Sequence, residues 1–145
     1  MFRNAIVLSI IILGAVAMTL VISNNQTSAQ DAELGARVYE LRTYHCNPGK
    51  LDDLHARFRV HTNYLFVRHG MTLIGYWTPA DGDTADNTLV YLIAHESRDA
   101  ARKSWAAFSA DPDWKKAAAA SEENGSLLTG IESTFLNPTD YSPLR

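Results

Sequence analysis

The chain has 145 residues, enough for a leader and one compact domain, and its formal net charge of −3 at neutral pH comes with 20% charged and 46% hydrophobic residues. The basic residues form no cluster, which disfavours nucleic acid as a partner because phosphate binding requires a concentrated positive surface. Cys46 is the only cysteine and cannot form an intrachain disulfide, so we expect a fold held by its hydrophobic core, with Cys46 as a small buried residue.

The first predicted element is a hydrophobic leader. Arg3 is the only charged residue in the first 29, and a small, apolar run over residues 5–22 is followed by polar residues. This order is typical of a secretory signal, and the small residues Thr27 and Ala29 predict cleavage after Ala29. The run is also long enough to cross a bilayer, so an uncleaved membrane anchor stays open as the alternative, and it would be the chain's only membrane contact. We therefore expect a signal peptide or anchor over 1–29, a linker over 30–36 and an exported domain over 37–145, periplasmic or extracellular.

The domain begins with a strand and a helix. Residues 37–45 alternate in character, with Tyr, Leu and Thr on one face and Glu and Arg on the other, which predicts a first strand. Asn47-Pro48-Gly49 predicts a turn. From Lys50 to about His69, apolar residues recur at three- and four-residue steps, as in an amphipathic helix, and Gly70 suits the position just after a helix end.

The remaining residues predict three more strands and a second helix in two parts. The strands cover 71–77, 88–95 and 129–136, and the two helical parts begin at Ser97 and at Asp111-Pro112. The resulting order, β-α-β-β-α-β, is that of a ferredoxin-like α+β fold with strand order 4-1-3-2.

The third strand, residues 88–95, is apolar on both of its faces and lies at the centre of this sheet. Two helices can cover only one face of the sheet, so something apolar must cover the other, and a second sheet packed face to face would do so. We therefore expect a homodimer in which two sheets form a shared barrel. Val90 and Leu92 are its predicted interface residues, with Glu40 and Arg42 as a polar layer inside or at its rim; simple exposure of these two charged residues to water stays open.

Five short motifs resemble those of the NIPSNAP family, in the family's order and spacing and across nearly all of residues 37–145. They are Tyr39-Glu40-Leu41-Arg42-Thr43-Tyr44, Pro48-Gly49-Lys50, His69-Gly70, Asp111-Pro112-Asp113-Trp114 and Pro138-Thr139-Asp140-Tyr141-Ser142-Pro143-Leu144. The resemblance implies a dimeric α+β barrel, a superfamily that includes cofactor-independent monooxygenases, isomerases, polyketide cyclase-like enzymes and haem-dependent proteins. NIPSNAP proteins have no agreed reaction, so the resemblance implies a fold rather than a reaction. The mitochondrial roles of eukaryotic members do not carry over to a single domain with an export leader.

Histidines are the best candidates for acid-base chemistry because the unperturbed pKa of imidazole lies nearest neutrality. A helical wheel at about 100° per residue turns His61 and His69 toward the sheet, where this fold family commonly binds small molecules. His69 suits a helix C-terminal cap equally well. The predicted ligand pocket is completed by the following residues: Tyr39, Trp77, Tyr91 and His95.

Neither a metal nor another cofactor is predicted. His61 and His69 would lie about 12 Å apart along a helix, too far to share an ion. The chain has no zinc-protease or haem-attachment motif, no P-loop, no nucleophile elbow and no dinucleotide fingerprint.

Two functions are therefore open. The first is a homodimer that binds a small, largely apolar molecule and performs cofactor-free oxidation, isomerisation or cleavage with a histidine base; it predicts a cavity between helix and sheet. The second is a non-catalytic interaction or scaffold module that binds a protein partner through exposed loops, chiefly residues 78–87. It predicts a packed interior and an exposed apolar patch away from the dimer face.

Overall fold

The computed structural model describes residues 37–144, so the predicted leader and linker lie outside the described residues. No helix within residues 37–144 combines the length and the hydropathy that a membrane span requires.

The described part of the chain is an α+β fold with an antiparallel four-stranded sheet. The strands are β1 (Val38–Cys46), β2 (Thr72–Trp77), β3 (Thr88–His95) and β4 (Leu128–Leu136). The helical segments are α1 (Leu51–Arg57), π1 (Phe58–Thr62), α2 (Asn63–Arg68), α3 (Arg98–Ala110) and α4 (Pro112–Ser121). The sheet order is β2-β3-β1-β4, which confirms the predicted strand order with β3 and β1 at the centre.

Local capping chemistry places the helix ends where the sequence predicts them. The Ser97 hydroxyl accepts a hydrogen bond from the backbone N–H of Ala100 at the start of α3. Asp111 caps α4 in the same way, with Pro112 in its first turn. Gly70 follows the helix end at His69 with φ of 78°, a backbone conformation that favours glycine.

The sheet has one face packed on the helices and one face turned away from them. On the helix side, Tyr44 and Tyr91 contact Phe58 of the first helix. The opposite face, called here the open face, carries residues of the other parity, which alternate with these along each strand. Its apolar members include Leu41, Val90, Leu92, Trp77 and Leu136, together with the buried Tyr39 and Ala94.

Aromatic rings fill the space between the first helix and the sheet. Phe58 makes edge-to-face contacts, with ring centroids 5.4 to 6.1 Å apart, to four neighbours: Tyr44, Phe66, Tyr76 and Tyr91. Phe66 extends the cluster to Phe108 of α3, at 5.0 Å. Such pairs add stability beyond the area they bury, and they make this layer a packed core. The predicted cavity between the first helix and the sheet is therefore wrong for this layer, because aromatic side chains occupy the space. Cys46 is part of this core, as predicted.

The first helix, predicted as one regular α-helix, contains a π-helical turn. The backbone N–H of Asn63 donates to the carbonyl of Phe58, five residues earlier, and the Thr62 hydroxyl donates to the carbonyl of Arg57. A π turn holds an extra residue compared with an α turn, so every side chain after it is rotated relative to an α-helical wheel. As a result, Thr62 is buried and His61 is exposed.

Candidate functional site

A buried carboxylate lies where the helix side of the sheet meets α3. Glu40 is 1% exposed and accepts four hydrogen bonds, two at each oxygen. The donors are Arg42 (2.6 Å) and Ser133 (2.7 Å) to Oε1, and Trp105 (2.7 Å) and His95 (3.0 Å) to Oε2. These five residues, called here the Glu40 cluster, come from β1, β3, α3 and β4, so only the folded sheet and helix bring them together.

The cluster holds charge in the protein interior. Burial by itself raises the pKa of Glu40, but the hydrogen bonds from His95, Ser133, Trp105 and Arg42 outweigh it and lower the pKa to about 2. Burial by itself lowers the pKa of the Arg42 guanidinium, but its tyrosine neighbours and Glu40 outweigh burial and raise that pKa above its ordinary value. That guanidinium also lies 4.3 Å from the centroid of the Trp105 ring. Glu40 is therefore ionised near neutral pH and faces a permanent cation.

His95 is oriented by Glu40 and keeps one ring nitrogen without a partner. His95 is only 2% exposed, and an ionised Glu40 can only accept, so Nε2 carries the proton of their hydrogen bond. Within residues 37–144, Nδ1 of His95 is buried without a hydrogen-bond partner, as are Nε of Arg42 and the hydroxyl of Tyr76. An unpaired buried polar group costs about 1–3 kcal/mol, and such groups gather where a ligand or water binds.

The cluster reaches the surface along β4. Ile131 and Ser133 are both exposed although they face the helix side, because the helices leave this edge strand uncovered. Phe135, on the same side, is tilted against the His95 ring at 6.2 Å between ring centroids. The exposed guanidinium of Arg98 lies 3.4 Å above the Phe135 centroid. The Glu40 cluster therefore lies nearest to solvent at Ser133, while the His95 side chain itself is completely buried.

Comparison with known proteins decides the family. The NIPSNAP family model matches residues 39–143. The chain belongs to the NIPSNAP family. A NIPSNAP family protein of unknown function from Agrobacterium tumefaciens is 24% identical, with a TM-score of 0.66 and coverage of 76% of this chain and 95% of that one. A NIPSNAP-like domain protein from Burkholderia xenovorans is 22% identical, with a TM-score of 0.65 and coverage of 74% and 90%.

A more distant structural neighbour is an enzyme. SnoaB, a cofactor-independent oxygenase from Streptomyces nogalater, is 18% identical to this NIPSNAP chain, with a TM-score of 0.51 and coverage of 74% of this chain and 98% of SnoaB. At this identity the likeness shows a shared fold alone. No curated protein sequence matches the chain.

The NIPSNAP domain holds neither of the two predicted catalytic histidines in the core. His69 ends the first helix, and its Nε2 lies 2.6 Å from Oδ2 of Asp111, which also pairs with Arg68. This arrangement ties the end of α2 to the start of α4 and agrees with the alternative role at a helix C-terminus. His61 is turned outward by the π turn and lines a groove against α4. The prediction that both point toward the sheet is therefore wrong for His61.

The four predicted pocket residues divide between the two faces of the sheet. Tyr91 and His95 lie on the helix side, in or beside the core. Tyr39 and Trp77 have the opposite parity, and the Trp77 indole, 54% exposed, lies over Gly75 of its own strand. A single pocket cannot use all four, because adjacent strand residues point to opposite faces.

Parity also separates the predicted interface residues. Val90 and Leu92 lie on the open face and are half-buried. Glu40 and Arg42 point the other way, into the Glu40 cluster, so their predicted place between two sheets is corrected. The alternation of β1 is as predicted, but its polar side faces inward because α3 and β4 supply hydrogen-bond partners.

Proposed function

We propose that this protein is an exported homodimer that binds a small, largely apolar molecule beside the Glu40 cluster and uses His95 as a general base. The observation that carries the proposal is the completely buried His95 side chain, with one ring nitrogen bonded to a carboxylate and the other without a partner among residues 37–144. A base held by a third group in this way is a recurring arrangement in acid-base catalysis.

The chemistry available to this arrangement is proton abstraction. With Nε2 protonated toward Glu40, Nδ1 of His95 can take a proton from an acidic C–H or O–H group. The guanidinium of Arg42 and its unpaired Nε would stabilise the enolate or phenolate that forms. Proton abstraction is the step that isomerisation, cleavage and cofactor-free oxidation share.

Oxidation without a cofactor requires the substrate to supply the electrons. An enolate can reduce O₂ directly, and conversion of a CH₂ group by one O₂ gives a carbonyl and one water with no external reductant. SnoaB, a cofactor-independent oxygenase, has the same fold, so oxidation without a cofactor is compatible with this fold.

The dimer is supported by the open face. Leu41, Val90 and Leu92 lie side by side on the two central strands, and Trp77 and Leu136 extend the apolar surface to both edges with substantial exposure. Contiguous apolar surface of this kind is typical of an interface, and face-to-face packing of two such sheets would bury it.

The test uses His95→Gln, because the amide nitrogen of glutamine can take the place of Nε2 and keep the bond to Glu40 while Nδ1 is lost. His55→Gln is the matched control, on α1 outside the cluster. The full-length chain is assayed for O₂ uptake and proton exchange with a panel of enolisable ketones and phenols. We expect His95→Gln to lower the rate about 10²–10⁴-fold, the usual contribution of a general base, and His55→Gln to leave it unchanged.

Two results would contradict the proposal. One is an unchanged rate in His95→Gln. The other is the absence both of turnover on the panel and of any retained small molecule in native mass spectrometry of the chain purified from its own cell envelope.

A second candidate function is favoured by one observation, an apolar stripe on the outside of the first helix. Val60, Tyr64 and Val67 are 66%, 66% and 58% exposed and follow one another at helical spacing, away from the open face. With the packed aromatic core, this is the pattern expected of a scaffold that binds an apolar surface of another protein. A photo-crosslinker at position 67 should then give one heavier adduct in cells, and a photo-crosslinker at position 103 should give none. Equal labelling at both positions would exclude the stripe as a protein-binding surface.

A further inference from the structure

The first helix and α4 enclose a groove on the outer side of the helix layer, with a cavity volume of about 350 Å³. Its wall on the first helix includes Arg57, Val60 and His61, and its wall on α4 includes Ala117 and Ala120. None of these residues belongs to the Glu40 cluster. We propose that this groove binds a small monocarboxylate with a short apolar body, at a site separate from the proposed function.

Arg57 is the main anion-binding group of the groove. Its side chain is only 4% exposed, so it forms part of the floor. One terminal nitrogen, NH1, is engaged by the hydroxyl of Ser121 at 3.2 Å and the carboxylate of Glu122 at 3.3 Å. Among the described residues, its Nε has no hydrogen-bond partner. The Nε side of a guanidinium can bind a carboxylate through two parallel hydrogen bonds. Nε of Arg57 is buried in this conformation, so a small outward shift of the side chain would bring this unpaired donor to a ligand in the groove.

The other polar groups of the groove favour a single negative charge. Lys50 and His61 add a cation and a titratable imidazole at the walls, while Asp53 pairs with Lys50 at 3.3 Å and keeps one carboxylate at the rim. A dianion would meet repulsion from Asp53 and, behind Arg57, from Glu122. The balance of charge therefore suits a monocarboxylate better than a phosphate.

The rest of the lining suits a hydrocarbon body. Ala56 and Val60 lie on the first helix and Ala117 and Ala120 on α4, so small apolar side chains face each other across the groove. The alanine run of α4 leaves room that longer side chains would fill. A volume of about 350 Å³ is at the lower end of the range for small-molecule sites, which fits an acid of one ring or a short chain.

The π turn gives the groove its shape. Without the extra residue of π1, His61 would point toward the sheet and the wall would lose its imidazole. π turns in helices often occur at functional sites, and here the turn places two groove residues, Val60 and His61, next to the buried Arg57.

The test measures binding of benzoate and hexanoate to the full-length, isotope-labelled chain by NMR, with benzamide and hexanamide as neutral compounds of the same shape. We expect at least one acid to give saturable shifts in α1, π1 and α4, and its amide to bind at least tenfold more weakly. Val60→Trp, which fills the groove from an exposed position, should weaken binding at least tenfold. Val67→Trp, exposed on the same helix outside the groove lining, is the control and should bind normally, as should His95→Gln.

Each remaining outcome overturns the proposal. Absence of saturable shifts with both acids, equal affinity for acid and amide, or unchanged binding in Val60→Trp would exclude a carboxylate site in the groove. Tighter binding of phenyl phosphate than of benzoate would exclude the preference for a single charge. Arg57→Gln, provided that it melts cooperatively, should abolish the difference between acid and amide, and a retained difference would remove Arg57 from the site.

Discussion

Glu40 shows how one residue can link the stability of this domain to its proposed site. Its carboxylate is buried with a guanidinium and is satisfied by four donors from three other elements and its own strand. Removal of one member of a buried charged pair is strongly destabilising, because the partner's charge stays behind without compensation. Glu40 therefore contributes to the fold in addition to holding the imidazole of His95.

We predict that Glu40→Gln lowers the free energy of unfolding by about 3 kcal/mol, because Arg42 then lies buried without a countercharge. Glu123→Gln, at an exposed position on the same domain, should change it by less than about 0.5 kcal/mol. Chemical denaturation of both variants measures the difference. A loss in Glu40→Gln no larger than in the control would show that the hydrogen bonds, rather than the charge, hold the cluster.

Because the pKa of Glu40 is lowered in the folded state, the stability of the domain should depend on pH. The folded-state pKa of Glu40, about 2, lies below its ordinary value of 4.5, so its contribution is fully present above pH 4.5 and is lost as the pH falls toward 2. We expect the free energy of unfolding to fall over this window by about 3 kcal/mol more in the unmodified chain than in Glu40→Gln. Parallel curves for the two proteins between pH 5 and 2 would contradict this.

At the scale of elements, the π turn decides which side of the first helix enters the core. Four buried residues follow one another at four-residue steps: Leu54 before π1, Phe58 and Thr62 at its two ends, and Phe66 after it. In a regular α-helix a four-residue repeat would drift around the helix surface. The extra residue keeps these side chains on one side and leaves His61 outside.

We predict that the domain tolerates deletion of Arg59, an exposed residue of the π turn, since the shortened segment can form a regular α-helix with the same core side chains. The expected cost is about 1–3 kcal/mol. Deletion of Lys103, equally exposed but in the regular helix α3, should abolish cooperative unfolding because it rotates Ser104 and Phe108 by about 100° away from the core. Thermal melts by circular dichroism measure the stability of the two deletion variants. Equal losses of stability would argue against an extra residue in π1.

At the scale of the molecule, the open face is an apolar sheet surface that the described helices leave uncovered. Within residues 37–144 the helices pack on the other face, so Leu41, Val90 and Leu92 of the two central strands have no described helix over them, and the proposed dimer would cover this surface. The apolar stripe of the first helix lies on the other side of the domain, so the two surfaces can be tested independently.

We predict that Leu92→Asp converts a dimer into a folded monomer, because a carboxylate at the centre of two packed sheets would be buried without a partner. Val67→Asp makes the same chemical change on the outside of the first helix and should leave the dimer intact. Sedimentation velocity of the full-length chains measures both. An unmodified chain that is monomeric at all concentrations, or a Leu92→Asp dimer, would exclude the open face as the interface.

Much of the fold follows from local sequence signals. Each of these signals involves only residues that are close together in the sequence, and the structure confirms them all. They are the alternation of β1, the apolar run of β3, the caps at Ser97 and Asp111 and the glycine at position 70. The site does not follow in this way. His95, Trp105 and Ser133 reach Glu40 across 55, 65 and 93 residues of sequence, and no local pattern encodes such contacts.

The sequence by itself therefore determined the family, the order of strands and helices and the alternation of β1, because short-range propensity and alternation set these. Tertiary structure decided which face of β1 is buried and brought His95 to the carboxylate of Glu40. It also decided where the first helix departs from α geometry. The physical reason is that a charged strand face can enter a core only if distant elements supply its hydrogen bonds, and a helix accepts an extra residue only if packing after the turn requires the altered rotation.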